Sequence, residues 1–263
     1  MTAERWRYID SGPCRGAENM AVDEALLESH AAGECPPTLR VYTWRPPAVS
    51  LGHFQRADSS VDLEASQRLG LDVVRRPTGG RAIFHTQDEV TFSFVVSAER
   101  LGTRGVMESY RRIADGILAG LRSLGLDARL VERSSHTRAA GQDPACFAVK
   151  ARCDLVVGSA KLVGSAQVQH HGFLLQQNSL PLTLRLSDWA QVFRRKTTTP
   201  AAAGLWEAAG RQVPYDEVAA ALRQGFEGAF GVVLEESELT CSELARSAEL
   251  APRVLAGASP QAQ

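Results

Sequence analysis

Between Val74 and Val96 the chain reads VRRPTGGRAIFHTQDEVTFSFVV, and no other stretch constrains its folding as tightly. Pro77 closes off a strand running from Leu71 to Arg76, because its ring fixes φ and removes a backbone donor. Gly79 and Gly80 follow in a turn without Cβ atoms, where backbone N–H groups are open to close approach by a carbonyl or a phosphate. Alone, a diglycine turn points first to a plain hairpin. Beyond it, Arg81 to His85 and Glu89 to Val96 read as a pair of strands. In the second, Val90, Phe92, Phe94 and Val96 alternate with Thr91, Ser93 and Val95 at the period of a β-strand. Arg75 and Arg76 would place cationic donors at the mouth of the turn, and the whole forms a frame for a pocket.

The flanking sequence supplies helices and more strands. Ala17 to Ala31 suits an amphipathic helix packed on a sheet, and Thr38 to Trp44 and AVSLG suit two strands separated by Pro46-Pro47. A helix is expected near Ser60 to Leu69. The clearest one runs from Val106 to Leu124, with Tyr110, Ile113, Ala114, Ile117, Leu118, Leu121 and Leu124 on one face and Gly125 as its stop. Glu132 to Asp143 is polar and without period, as in an exposed loop able to cover a site. Cys153 to Val157, Leu162 to Gln169 and Gly172 to Leu180 form a second strand-rich group. Helices are expected at Ser187 to Phe193 and Pro214 to Phe230, then one short strand and a last helix. The simplest architecture is a single domain over residues 1–263, of mixed α/β (α+β) class, with a helical C-terminal elaboration.

Composition narrows the function. Lys and Arg total 29 against 30 Asp and Glu, so no basic field points to nucleic acid. No apolar run is long enough for a membrane span or a signal core, and a cytoplasmic location is expected. The five cysteines, Cys14, Cys35, Cys146, Cys153 and Cys241, are scattered without a CxxC knuckle, which suggests free thiols and no structural metal.

Two strings carry the chemistry. RRPTGGRAIFH, Arg75 to His85, resembles the RRxTGG motif of the superfamily of lipoate–protein ligases, octanoyltransferases and biotin–protein ligases, and GSAKLVGSAQ, Gly158 to Gln167, resembles that superfamily's lysine motif. The resemblance implies largely antiparallel sheets flanked by helices, the class II synthetase-like core of biotin and lipoate ligases. It also implies that Arg75, Arg76, Thr78, Gly79, Gly80 and Arg81 contact the acyl group and the activated carboxyl. Lys161 would hold the acyl carbonyl, with Gly164, Ser165 and Ala166 packed about it, and His85 would orient substrate or move a proton. Arg81 stands where ATP-using lipoate ligases commonly have a third glycine, a form similar to that of octanoyltransferases. Cys146, in DPACF upstream of Lys161, resembles the nucleophile of the branch that loads the glycine cleavage H protein. The chain departs from that branch at Lys150 and Ala151, at Asp154 in place of a glutamate, and at Gln176-Gln177-Asn178-Ser179 in place of Gln-His-Gly-Ser.

The implied reaction is transfer of an octanoyl group from octanoyl-acyl carrier protein, through a Cys146 thioester, to a lysine of the H protein or another lipoyl domain. No cofactor or ATP is expected. Alternatives are an amidotransferase moving octanoyl from H protein to other lipoyl domains, an ATP-dependent lipoate–protein ligase, and a non-catalytic acyl-binding module. Phe84, Phe92 and Leu162 are candidates for the acyl tunnel. Arg104, Arg111, Arg112, Arg194, Arg195 and Lys196 are candidates for docking acidic carriers. Cys153 reads as a core thiol, His170 and His171 as strand neighbours pointing to opposite faces, and Asp23 as a structural acid.

Overall fold

This computed structural model describes residues 3–131, 154–193 and 202–255. The chain begins with β1 (Glu4–Cys14), α1 (Gly16–Ala31), β2 (Thr38–Trp44), β3 (Ala48–Leu51), α2 (Ala57–Ser60), α3 (Leu63–Arg68), β4 (Asp72–Arg75), β5 (Ile83–His85) and β6 (Glu89–Ser97). It continues with α4 (Ala98–Leu101), α5 (Val106–Ser123), β7 (Ala128–Leu130), β8 (Leu155–Val157), β9 (Ala160–His170) and β10 (Phe173–Pro181). Last come α6 (Leu186–Val192), α7 (Leu205–Ala209), α8 (Tyr215–Phe230), β11 (Val232–Glu236) and α9 (Cys241–Leu250). Eight strands form one sheet in the order β11-β1-β2-β6-β10-β9-β8-β7, and three form a second in the order β4-β3-β5. In the large sheet β1 runs parallel to both β11 and β2, and the remaining neighbours are antiparallel.

The alternation of β6 has apolar or polar cover on both faces, so Glu89 to Val96 is buried throughout. Val90, Phe92, Phe94 and Val96 join Ile113, Ile117 and Leu121 of α5 and Leu222 and Phe226 of α8 in the main core. Here the two helices cross closely. A Cβ on Gly225 would lie 2.4 Å from the Gly116 carbonyl oxygen, and one on Gly120 2.7 Å from that of Ala221. On the opposite face Val95 packs with Val22 and Leu26 of α1.

Helix α1 is not amphipathic as expected. The sheet covers one side and α9 the other, through Ala21, Ala25 and Leu250, so most of its residues are buried. Asp23, fully buried, accepts from Arg40 Nη1 (2.8 Å), Tyr42 Oη (2.8 Å) and Ser93 Oγ (2.6 Å). A buried carboxylate is tolerated when charge and hydrogen bonds match it, and these three donors bind helix to sheet.

Residues 81–85 and 89–96 are consecutive but not partners. β5 pairs with β3 in the small sheet and β6 with β2 and β10 in the large one. Because β4 and β5 flank β3, the glycine turn crosses the end of β3 and is not a hairpin. The two histidines also differ from expectation. His170 ends β9, while His171 (φ 49°) and Gly172 (φ 84°) form the two-residue turn into β10, which brings the imidazole centroids to 4.1 Å.

Candidate active site

A cavity with an empty volume of about 270 Å³ lies between the two sheets. Met20 of α1, Tyr42 and Trp44 of β2, Thr91 of β6, and Gln177 and Ser179 of β10 line it from the large-sheet side. Gly164 and Ala166 of β9 add a wall without bulky side chains, and Ser50, Ile83 and His85 of the small sheet close it, with Arg76. Phe84, Phe92 and Leu162, expected in the tunnel, are absent from this lining. Phe92 and Leu162 belong to the core under α5 and α8, and Phe84 to the core of the small sheet. The reason is parity: neighbours on a strand face opposite ways, so Thr91, Ile83 and His85 take the cavity side. Ser165 is likewise not among the lining residues, although its cross-strand neighbour Asn178 is.

The glycine turn is braced beside the cavity through Arg76, which lines it; Thr78, Gly79, Gly80 and Arg81 are not among the lining residues, and neither is Lys161. Arg76, 3 % exposed, donates from Nη1 to Ser50 O (3.0 Å) and Ser50 Oγ (3.1 Å), and from Nη2 to the carbonyls of Gly79 and Arg81 (both 2.7 Å). Arg75 donates from Nη1 to the carbonyls of Gly52, His53 and Gln55 at 3.0, 2.9 and 2.6 Å. Both guanidiniums therefore brace backbone, where the sequence suggested cations at an open mouth. Thr78 Oγ1 donates to Gln177 Oε1 (2.7 Å), and Gln177 Nε2 to Asp23 Oδ2 (2.7 Å), which connects the turn to the buried acid of α1. A Cβ on Gly52 would stand 2.0 Å from the Gly80 oxygen, whereas one on Gly79 would meet nothing within 4 Å. Gly80, at φ +90°, reaches Ala166, whose Cβ lies 3.9 Å from the Cβ position of the glycine.

His85 is buried in a relay that its sequence surroundings did not disclose. Its Nδ1 lies 2.9 Å from Glu89 Oε1 and its Nε2 2.8 Å from Ser50 Oγ, and its ring stacks on Trp44 at 3.9 Å. The His-x-x-x-Glu spacing was the visible signal; Ser50 is too remote along the chain to suggest itself. Trp44 Nε1 in turn donates to Thr91 Oγ1 (2.7 Å).

Lys161, 2 % exposed, sits 3.0 Å from Asp154 Oδ1. The departure from glutamate thus falls on the partner of the motif lysine. Cys146, Cys153 and the Arg194, Arg195 and Lys196 cluster lie outside the described residues. Cys14, Cys35 and Cys241 are unpaired. Arg104 and Arg111 are exposed, while Arg112 donates to the Ala229 carbonyl and lies over the Phe230 ring. Among the described residues no cluster of three or more His, Cys, Asp or Glu could hold a metal ion, and no helix is long and apolar enough to cross a membrane.

The family of the lipoyl protein ligase A/B catalytic domain matches this chain over residues 15–227. The chain belongs to that family. Among relatives of this lipoyl ligase-type domain is octanoyltransferase LipM of Kyrpidia tusciae, 42 % identical over 96 % of the chain and 97 % of the relative. LipM of Bacillus subtilis is 37 % identical over 93 % of each. A lipoate–protein ligase A bound with ATP superposes with a TM-score of 0.79 at 26 % identity, covering 96 % of this chain and 95 % of its own. The expected fold class is therefore correct, and membership of this family makes the chain an acyl-transferring enzyme.

Proposed function

We propose that this chain is an octanoyltransferase of lipoate assembly, working through a thioester on Cys146. The observation that carries the reading is the near-full-length likeness to octanoyltransferases, 42 % in one case, against 26 % for an ATP-bound ligase of the same fold. The cavity is consistent with it: a mostly apolar slot rewards each buried methylene by about 0.8 kcal/mol. In the first step Cys146 Sγ, as thiolate, attacks the carbonyl carbon of octanoyl-acyl carrier protein. The carrier's sulfur leaves and takes up a proton. In the second, a lysine amine of a lipoyl domain, such as that of the H protein, attacks the acyl-enzyme, loses a proton and forms the amide as Cys146 is released. Lys161, fixed by Asp154, supplies positive charge for the carbonyl oxygen. The Thr78–Arg81 turn positions the acyl group, with the open side of Gly79 toward it. Thioester exchange is nearly balanced and the amide is more stable, so no ATP enters.

The test is intact-protein mass spectrometry after incubation with octanoyl-acyl carrier protein and no ATP. A hydroxylamine-labile octanoyl adduct on the wild type, missing from Cys146→Ala, is expected. No adduct, with acylation of a lipoyl domain only when ATP and free lipoate are added, would place the chain with the ligases instead.

A further inference from the structure

Phe54 is 90 % exposed, more than any other large hydrophobic side chain among the described residues. The backbone carrying it is nevertheless fixed. Arg75 grips the carbonyls of Gly52, His53 and Gln55, Gln55 Oε1 accepts from the Gly52 N–H (3.1 Å), and the His53 N–H donates to the Thr78 carbonyl (2.9 Å). The His53 ring meets Phe54 edge-on at 4.7 Å. Gly52 packs directly on Gly80, so the ring stands on the rim of the glycine turn. From Arg45 to Ala57 the sequence has no acidic residue, and the exposed neighbours of Phe54 include His53 and Arg56.

We propose that Phe54 is the anchor on which an acidic acceptor domain docks while its lysine enters the site. The inference rests on the transferase reading above and adds where the acceptor binds. A lysine carried on a folded protein reaches only one side-chain length from its surface. That surface must therefore lie against the rim of the turn, where this ring is the large apolar group presented to solvent. A pre-ordered aromatic loses little entropy on burial, which is the usual character of an interface hot spot, and a segment with no acidic residue from Arg45 to Ala57 favours a partner of negative charge.

The experiment compares wild type with Phe54→Ala and Phe54→Leu in three measurements on the full chain. These are calorimetric affinity for an unacylated lipoyl domain, the rate of acyl-enzyme formation from octanoyl-acyl carrier protein, and oligomeric state by light scattering. Phe54→Ala is expected to weaken the lipoyl domain roughly 10- to 100-fold, with Phe54→Leu between, and to leave loading and oligomeric state unchanged. Equal affinity in all three proteins, or no binding by wild type, overturns the proposal. So does a parallel loss of loading, which would assign the ring to the donor carrier, or a change of oligomeric state, which would assign it to a second copy. Weakened binding in a protein that never forms an acyl-enzyme would keep the docking site and reject the thioester route.

Discussion

Replacing Gly52 by Ala tests whether the position of the glycine turn governs activity. The new Cβ would stand 2.0 Å from the Gly80 oxygen and 2.8 Å from its carbonyl carbon, where ordinary contact begins at 3.4 Å. Relief demands a shift of the turn by more than 1 Å, and Arg76, bonded to Gly79, Arg81 and Ser50, resists it. Overpacking of this kind costs about 1–3 kcal/mol, or a fall in Tm of roughly 3–10 °C for a chain of this size. Displacing a positioning element by about 1 Å costs on the order of 100-fold in rate. Gly79→Ala is the matched control. Its Cβ meets nothing within 4 Å and its φ lies outside the left-handed region, so its Tm is expected to stay within about 1 °C of wild type. On the proposed reading the acyl group lies on the open side of Gly79, so acyl loading by Gly79→Ala should still fall. Differential scanning fluorimetry beside timed mass-spectrometric loading reads both quantities. Full loading activity in Gly52→Ala with an unchanged Tm would refute the argument, and full activity in Gly79→Ala would remove the acyl group from that face of the turn.

Two further perturbations address the interior. Asp154→Ala removes the carboxylate 3.0 Å from the Lys161 ammonium in a site where both side chains are nearly inaccessible, and should cost about 3–5 kcal/mol in the urea midpoint analysis. The double variant Asp154→Leu, Lys161→Met should regain most of that stability without regaining transfer; an equally unstable double variant would show that the pair's charge is not the cause. His30 is a pH probe: burial holds its pKa below the ordinary histidine range, against an opposing hydrogen bond from Nδ1–H to the Cys35 carbonyl (2.8 Å). The folded state thus disfavours the imidazolium, so the contribution of His30 is complete above the unfolded pKa of about 6.5 and is lost as pH falls through and below it. His30→Gln is expected to flatten the decline of Tm between about pH 7.5 and 5.5, and a slope equal to that of wild type would exclude the assignment.

Local pattern was enough to locate most elements. The helical face of Val106 to Leu124 appears as α5 over Val106–Ser123, and the alternation after Glu89 as β6 over Glu89–Ser97. β1 escaped because Ser11-Gly12-Pro13 looks like a break. The register shift between Asp10 and Pro13 absorbs the break while β2 and β11 hold the strand on either side. A period of two says which residues share a face, but not what covers it. Only the packing of α5 and α8 on one side and the small sheet on the other turned Phe92 to the core and Thr91 to the cavity. The RRPTGG and lysine strings were legible as motifs, since their residue types are local. What the arginines, His85 and Lys161 do was decided by partners distant or unobvious in sequence: the Ser50 oxygens, Glu89, the carbonyls of loop 52–55, and Asp154. Hydrogen bonds and burial depend on neighbours in space, and those exist only once the sheets have closed around the site.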